Sequence, residues 1–330
     1  MKKKILIIFS GLLVVGLFVY IFIPHKRSPN PASQIPTLSI PDPIGGNFIV
    51  ENKIESIDFN FPKSLPLLSR TTTSPFSLTE AKGIAKGFGF ITEPSSSRDV
   101  KQGMTYFWNN NTETLFVYSK TRKILYGLLK APTSINKGLS NESLISLAKD
   151  FLVTKSLVNK DEIDFSFFSY YRLPKGQLEG PRVSTKDEAN IYVVNFSPSG
   201  TNYKVVTLDP QLSPISVWVA PDGTITQVVF IKMGSFVVGQ EKYELKDYQV
   251  FDSSLKKSIV VSLDDGYISM VDLPKGDLQT VTINKVELAY LADPLLQGTF
   301  QPVFLLGGTA RVREVKEEVP VLLYLPALKN

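Results

Sequence analysis

Apolar residues along this chain fall into three regimes. Residues 5–23 form an uncharged run of 19, interrupted only by Ser10, Gly11 and Gly16. At a rise of about 1.5 Å per residue it reaches roughly 28 Å, close to the hydrocarbon thickness of a bilayer. This run, with Ile5, Leu12, Leu17 and Ile23 along it, predicts a signal-anchor transmembrane helix over 1–23. A cleaved signal would have a core of roughly 7–15 residues and a small-x-small site; here Pro24, His25, Lys26 and Arg27 follow instead. Residues 24–46 hold six prolines and end in Gly45-Gly46. Such a composition favours extended polyproline II and reads as a stalk.

Beyond the stalk the pattern alternates between helical and strand periods. Ser77 with Glu80 forms a capping box, Ala81, Ile84, Ala85 and Phe88 follow at helical spacing, and Gly87 and Gly89 stop the helix. A second helix is predicted from Ser140, with Leu144, Leu147, Ala148, Phe151 and Leu152 as its stripe. A weaker third covers 246–257 through Tyr248, Phe251 and Leu255. Strands are predicted at 104–109, 114–119 and 124–129 after the first helix, and at 164–173, 190–196, 203–208, 215–220 and 224–232 after the second. A further set, 258–263, 279–291, 300–306 and 319–324, follows the third. The turn 221–223, Pro-Asp-Gly, marks a hairpin. Each helix precedes a run of short antiparallel strands, and no glycine-rich phosphate loop opens a helix. The fold class expected is therefore α+β: a transmembrane helix, then tandem helix-on-antiparallel-sheet units over 47–135 and 136–330, the latter divisible near residue 240.

Composition narrows the chemistry. The chain has no cysteine and one histidine, His25, at the foot of the stalk. Disulfide scaffolds, thiolate metal sites, cysteine nucleophiles and Ser–His machinery are excluded or nearly so. The formal charge is +5, but Lys2, Lys3, Lys4, Lys26 and Arg27 all flank the apolar run. Without these five, 31 basic residues face 31 acidic ones, so no overall basic excess points to nucleic acid. Lys120, Arg122 and Lys123 read as a solvated hairpin turn. The positive-inside bias of Lys2, Lys3 and Lys4 places the N-terminus in the cytoplasm and the body outside the cell membrane.

Candidate catalytic groups do not assemble in the sequence. Asp264-Asp265 and Glu317-Glu318 are adjacent carboxylates, which point to opposite faces of a strand. Gly307-Gly308-Thr309 lacks the lysine and spacing of a phosphate loop. Ser253 and Lys256 have Ser-x-x-Lys spacing but fall late in the weak third helix. The tripeptides starting at Asn110, Asn141 and Asn195 match the glycosylation sequon, at a frequency near chance. No catalytic, cofactor-binding or metal-ligating residue is assigned, and no cofactor is expected.

The layout resembles YycH/YycI-type membrane-anchored regulatory proteins with PepSY-like extracytoplasmic domains. The helix ending in Gly87, Phe88, Gly89 and Phe90 carries part of the resemblance. The segment 286–290 (VELAY), answered by Phe300, Gln301, Pro302, Val303 and Phe304 and then Gly307-Gly308, carries the rest and is similar to a YycI-type closing hairpin. On that resemblance Phe88, Gly89, Phe90, Tyr290, Gln301, Pro302, Phe304 and Gly307 are structural positions. It implies a non-enzymatic regulator that binds an envelope protein partner outside the membrane. The alternatives are a carboxylate-based enzyme acting on envelope glycan and a PepSY-like module that inhibits a protease.

Overall fold

The computed structural model describes residues 48–330 apart from 71–73, 131–137, 175, 178–179, 211, 234–235, 264–276, 293–298, 314 and 330. The described chain begins with β1 (Ile49–Asn52), β2 (Ser64–Arg70) and helix α1 (Leu78–Gly87). Four strands follow: β3 (Ser95–Asp99), β4 (Gly103–Asn109), β5 (Glu113–Tyr118) and β6 (Lys123–Leu128). Helix α2 (Asn141–Thr154) leads into β7 (Ile163–Tyr171), β8 (Arg182–Val183), β9 (Ile191–Pro198), β10 (Lys204–Val206), β11 (Ile215–Val219) and β12 (Ile225–Ile231). The last part comprises β13 (Phe236–Glu244), α3 (Tyr248–Ser254), β14 (Ile259–Leu263), β15 (Leu278–Leu291), β16 (Thr299–Val312) and β17 (Val319–Pro326).

These strands form two large sheets. One has nine strands in the order β3-β4-β5-β6-β12-β11-β9-β7-β8, with antiparallel neighbours throughout. It consists of two meanders, one after each longer helix, joined where β6 pairs with β12. Gln227 to Ile231 lie there against Gly127 to Lys123. The second sheet has eight strands built on the β15/β16 hairpin, with β17 and β14 beyond it. Strands β1 and β10 pair parallel to opposite ends of β15, and β2 joins β16 to β13.

The tandem helix-on-sheet α+β class is corrected by this arrangement. The protein is mainly β, and its strands gather into two sheets that do not follow the helix-by-helix grouping of the chain. The last meander strands pair across the expected boundary near 135, and β10 leaves the middle of the second meander to join the other sheet. Pairing of this kind is set by backbone hydrogen bonds between distant segments, which local periodicity does not encode. The signal-anchor expectation finds no support among the described residues: no helix there is long and apolar enough to cross a membrane, and residues 1–23 lie outside them. The longest, α2, has 14 residues, about 21 Å at helical rise. Ile5, Leu12, Leu17, Ile23 and Lys2 to Lys4 lie outside the described residues, as does the Asp264-Asp265 pair.

Both longer helices cover one face of the nine-stranded sheet. Ala81 and Ala85 of α1 and Leu144, Ala148 and Leu152 of α2 share a core with Trp108, Leu115, Ile124 and Phe196. The helices start as the sequence directs. Ser77 Oγ accepts from the Glu80 N–H at 3.2 Å while a Glu80 carboxylate oxygen accepts from the Ser77 N–H at 2.8 Å. At the other end of α1, Gly89 takes φ +94°. Its N–H donates to the Lys86 carbonyl, and that of Phe90 to Ala85, the paired bonds of a Schellman motif. Phe88 caps the helix and stacks on Tyr126 at 4.9 Å.

Strand β9 is buried along its whole length. Tyr192, Val194 and Phe196 face the helices, while Ile191 and Val193 belong to a second cluster with Ala220. A strand covered on both faces reads as a continuous apolar run rather than an alternation. Asn195 is fully buried within it. Its Oδ1 accepts from Ser213 N–H at 3.0 Å and Ser216 Oγ at 2.7 Å, and its Nδ2 donates to Ser169 Oγ at 3.3 Å. This sequon residue is a core hydrogen-bonding centre and offers no accessible amide to a glycan.

The shorter helix α3 covers the eight-stranded sheet through aromatic contacts. Phe59 lies 4.7 Å from Phe251, which meets Phe304 edge-on at 5.4 Å. Between the sheets, Lys204 of β10 lies 5.1 Å from the Phe167 ring of β7 and pairs with Glu287 of β15 at 2.6 Å.

Candidate functional site

A cleft of about 360 Å³ opens at one end of the nine-stranded sheet. Four sequence segments converge on it: the turn after α2 with the start of β7, the end of β9, the start of β11, and the exit of β12. Leu157, Ile215 and Phe230 form an apolar floor, and all three are buried. Asp161, Glu162 and Lys232 stand around the opening. The volume falls within the range of small-molecule sites, roughly 300–1,000 Å³.

The rim is held by the backbone. Both Glu162 carboxylate oxygens are engaged by Asn159, one by its N–H at 3.0 Å and one by Nδ2 at 2.7 Å. The Glu162 carbonyl in turn accepts from Ser199 N–H at 2.9 Å. Glu162 therefore fastens the turn that presents Asp161. On the other side Lys232 is fixed by Arg122: its N–H donates to the Arg122 carbonyl at 3.0 Å, and Arg122 Nε donates to its carbonyl at 3.1 Å.

Arg122 departs from the solvated turn expected of Lys120 to Lys123. It is only 5% exposed, with Nη1 donating to the Ser74 carbonyl at 2.7 Å and the guanidinium 4.1 Å above the Phe76 ring. One side chain thus ties the entry to α1, the β5–β6 turn and the end of β12. Lys123 is partly buried, and burial lowers its ammonium pKa below the ordinary lysine value. The Glu80 carboxyl is held below its ordinary value first by the Ser77 N–H, then by the Ser77 hydroxyl, with Arg122 and Lys232 adding positive potential.

The cleft does not unite two free acids. Asp161 and Glu162 are adjacent, and the Glu162 carboxylate is taken up by Asn159. Of the other adjacent pair, Glu318 bonds Thr309 Oγ1 at 2.7 Å and lies 3.7 Å from Arg311, outside the cleft. No group of three or more acidic or imidazole side chains suited to a metal occurs among the described residues.

The residues carrying the family resemblance lie away from the cleft and in two separate places. Phe88, Gly89 and Phe90 end α1 in the core of the nine-stranded sheet. The others sit in β15 and β16, where Tyr290 opposes Pro302, Leu288 opposes Phe304, Leu291 opposes Gln301 and Lys285 opposes Gly307. Tyr290 donates its hydroxyl to the Pro66 carbonyl at 2.8 Å. Pro302 falls in the interval between the β2 and β17 pairings of β16, where its missing N–H breaks no ladder. Gln301 is buried.

A second surface with binding character is the β3 edge. All five residues, Ser95 to Asp99, are exposed, and β3 is the terminal strand of its sheet. Its sequence, SSSRD, has no apolar residue, so hydrophobic patterning does not reveal it. Asp161 and Lys232 likewise occupy a polar turn and a strand terminus with no distinguishing motif.

The molecule is thus a mainly β, two-sheet protein with an open cleft and an exposed sheet edge. No family model matches the chain, and no curated protein matches it. Among solved structures, it is similar to an uncharacterized protein from Eubacterium rectale, with 16% identity over 81% of this chain and 84% of that one and a TM-score of 0.44.

Proposed function

We propose that this chain is a non-catalytic interaction module of the bacterial envelope, working on the extracytoplasmic side, that takes a strand of a partner protein onto β3. The observation that carries the reading is the edge itself: five exposed residues end a nine-stranded antiparallel sheet. Edge strands present backbone donors and acceptors that a partner strand can satisfy, with side chains of the added strand setting specificity. The absence of an apolar residue in β3 fits a partner held by main-chain bonds. The exterior placement rests on the charge pattern of residues 1–27 in the sequence. The resemblance to YycH/YycI-type regulators supports the same kind of role.

Two proline variants test it. Successive residues of an antiparallel edge strand send their backbone groups alternately inward and outward. Of Ser96→Pro and Ser97→Pro, one removes an outward N–H and the other an inward bond to β4. Cross-linking of the full chain in its native membranes should place partner cross-links at Lys101, beside the edge. The outward variant should lose them while melting at the wild-type temperature. Undiminished cross-links in both variants, or none at Lys101 in the wild type, would refute strand capture.

A further inference from the structure

We infer that the cleft at the end of the nine-stranded sheet binds a free hydrophobic amino acid. Three observations define the ligand. The floor of Leu157, Ile215 and Phe230 is apolar and buried, so it takes an apolar side chain rather than a charged or sugar-like group. The opening carries two carboxylates and one cation; Asn159 engages the Glu162 carboxylate, which leaves Asp161 and Lys232 facing a ligand. Among the described residues neither side chain has a hydrogen bond or ion pair, with each other or with any third group.

Opposite charges on one rim that do not pair leave both valences open to whatever enters between them. A ligand complementary to this rim carries an ammonium for Asp161 and a carboxylate for Lys232, attached close to an apolar body. An α-amino acid with a large aliphatic or aromatic side chain is the compact molecule with that arrangement. The cleft volume of about 360 Å³ accommodates one such molecule. The rim is also preorganised: Arg122 fixes the backbone of Lys232, and the Asn159–Glu162 bonds fix the turn bearing Asp161. Holding binding groups in place before the ligand arrives lowers the entropic cost of binding. This inference is separate from strand capture, because β4, β5 and β6 lie between β3 and the strands of the cleft.

Isothermal titration of the purified full chain with L-leucine and L-phenylalanine tests the assignment, with N-acetyl-L-phenylalanine amide as the uncharged analogue. The wild type should bind at least one of the two amino acids saturably, and the capped analogue should bind at least tenfold more weakly. Lys232→Gln and Asp161→Asn should each weaken binding by about tenfold or more, equivalent to about 1.4 kcal/mol. Neither side chain has a hydrogen-bond or ion-pair partner among the described residues, so both variants should melt close to the wild type. Absence of saturable binding to both amino acids would overturn the inference. So would equal affinity for the capped analogue, or wild-type affinity in both variants.

Discussion

Arg122 adopts a left-handed backbone conformation with φ +56°, which costs a residue bearing a Cβ roughly 1–2 kcal/mol. The cost is offset because the bend aims its guanidinium at the Ser74 and Lys232 carbonyls and over Phe76. Nothing about Lys-Thr-Arg-Lys in sequence separates a solvated turn from this buried junction, since the difference lies in two carbonyls 48 and 110 residues away. Arg122→Met should destabilise the fold by about 2–4 kcal/mol, since buried carbonyls lose charged donors. Arg122→Lys should recover only part, as one ammonium cannot reproduce the planar fork. Urea denaturation of the two variants checks the order.

At the level of elements, helix ends were legible and sheet edges were not. The Ser77–Glu80 box and the Gly89 stop are local chemistry, written within four residues of the helix they bound. The third helix shrinks to Tyr248–Ser254 followed by a 3₁₀ turn over Leu255–Lys257, with Asp247 rather than Lys246 at its start. Its Oδ1 accepts from Val250 N–H at 3.0 Å. The β15/β16 hairpin shows the limit from another side. Gly307 carries the motif resemblance, yet a Cβ there would make only ordinary contacts, the nearest being Lys285 Cβ at 3.5 Å. At Gly308 a Cβ would overlap the Thr282 carbonyl oxygen, where the ladder shifts register between Ile283 and Lys285. Gly308→Ala should therefore cost about 2–4 kcal/mol, the range of severe backbone clashes. Gly307→Ala should change stability by under about 1 kcal/mol. Thermal melts of the two single variants separate these expectations.

Across the whole molecule, Lys204 pairs with Glu287 within the eight-stranded sheet and reaches the Phe167 ring of the nine-stranded one. Burial raises the Glu287 carboxyl pKa, but hydrogen bonds from Lys204 and Lys285 and their positive charge outweigh it, and the group sits below its ordinary value of 4.5. Glu80 and Asp247 are lowered too, chiefly by backbone N–H groups at their helix starts. A carboxyl with a depressed folded-state pKa stabilises the fold above its ordinary value, and that contribution disappears as pH falls through the folded value. Stability should accordingly drop as the solution is acidified below about pH 4.5. Glu287→Gln should lower stability at pH 7 by about 1–2 kcal/mol, the scale of a charged hydrogen bond. The gap between the variant and the wild type should narrow progressively as pH falls below 4.5. A pH series of denaturation midpoints reads both effects, and a gap that does not narrow on acidification would contradict the assignment.

By itself the sequence determined what short-range chemistry controls: helix starts and stops, most strands, the single imidazole and the absence of thiol, and the distribution of charge. These depend on neighbours within a few residues. Tertiary structure alone decided that two meanders share one sheet, that Arg122 and Asn195 are buried, and that Asp161 and Lys232 meet at one cleft. Each of those facts depends on backbone groups or surfaces brought together from distant parts of the chain, and a free carbonyl or an open rim leaves no signature in the residues that later complete it.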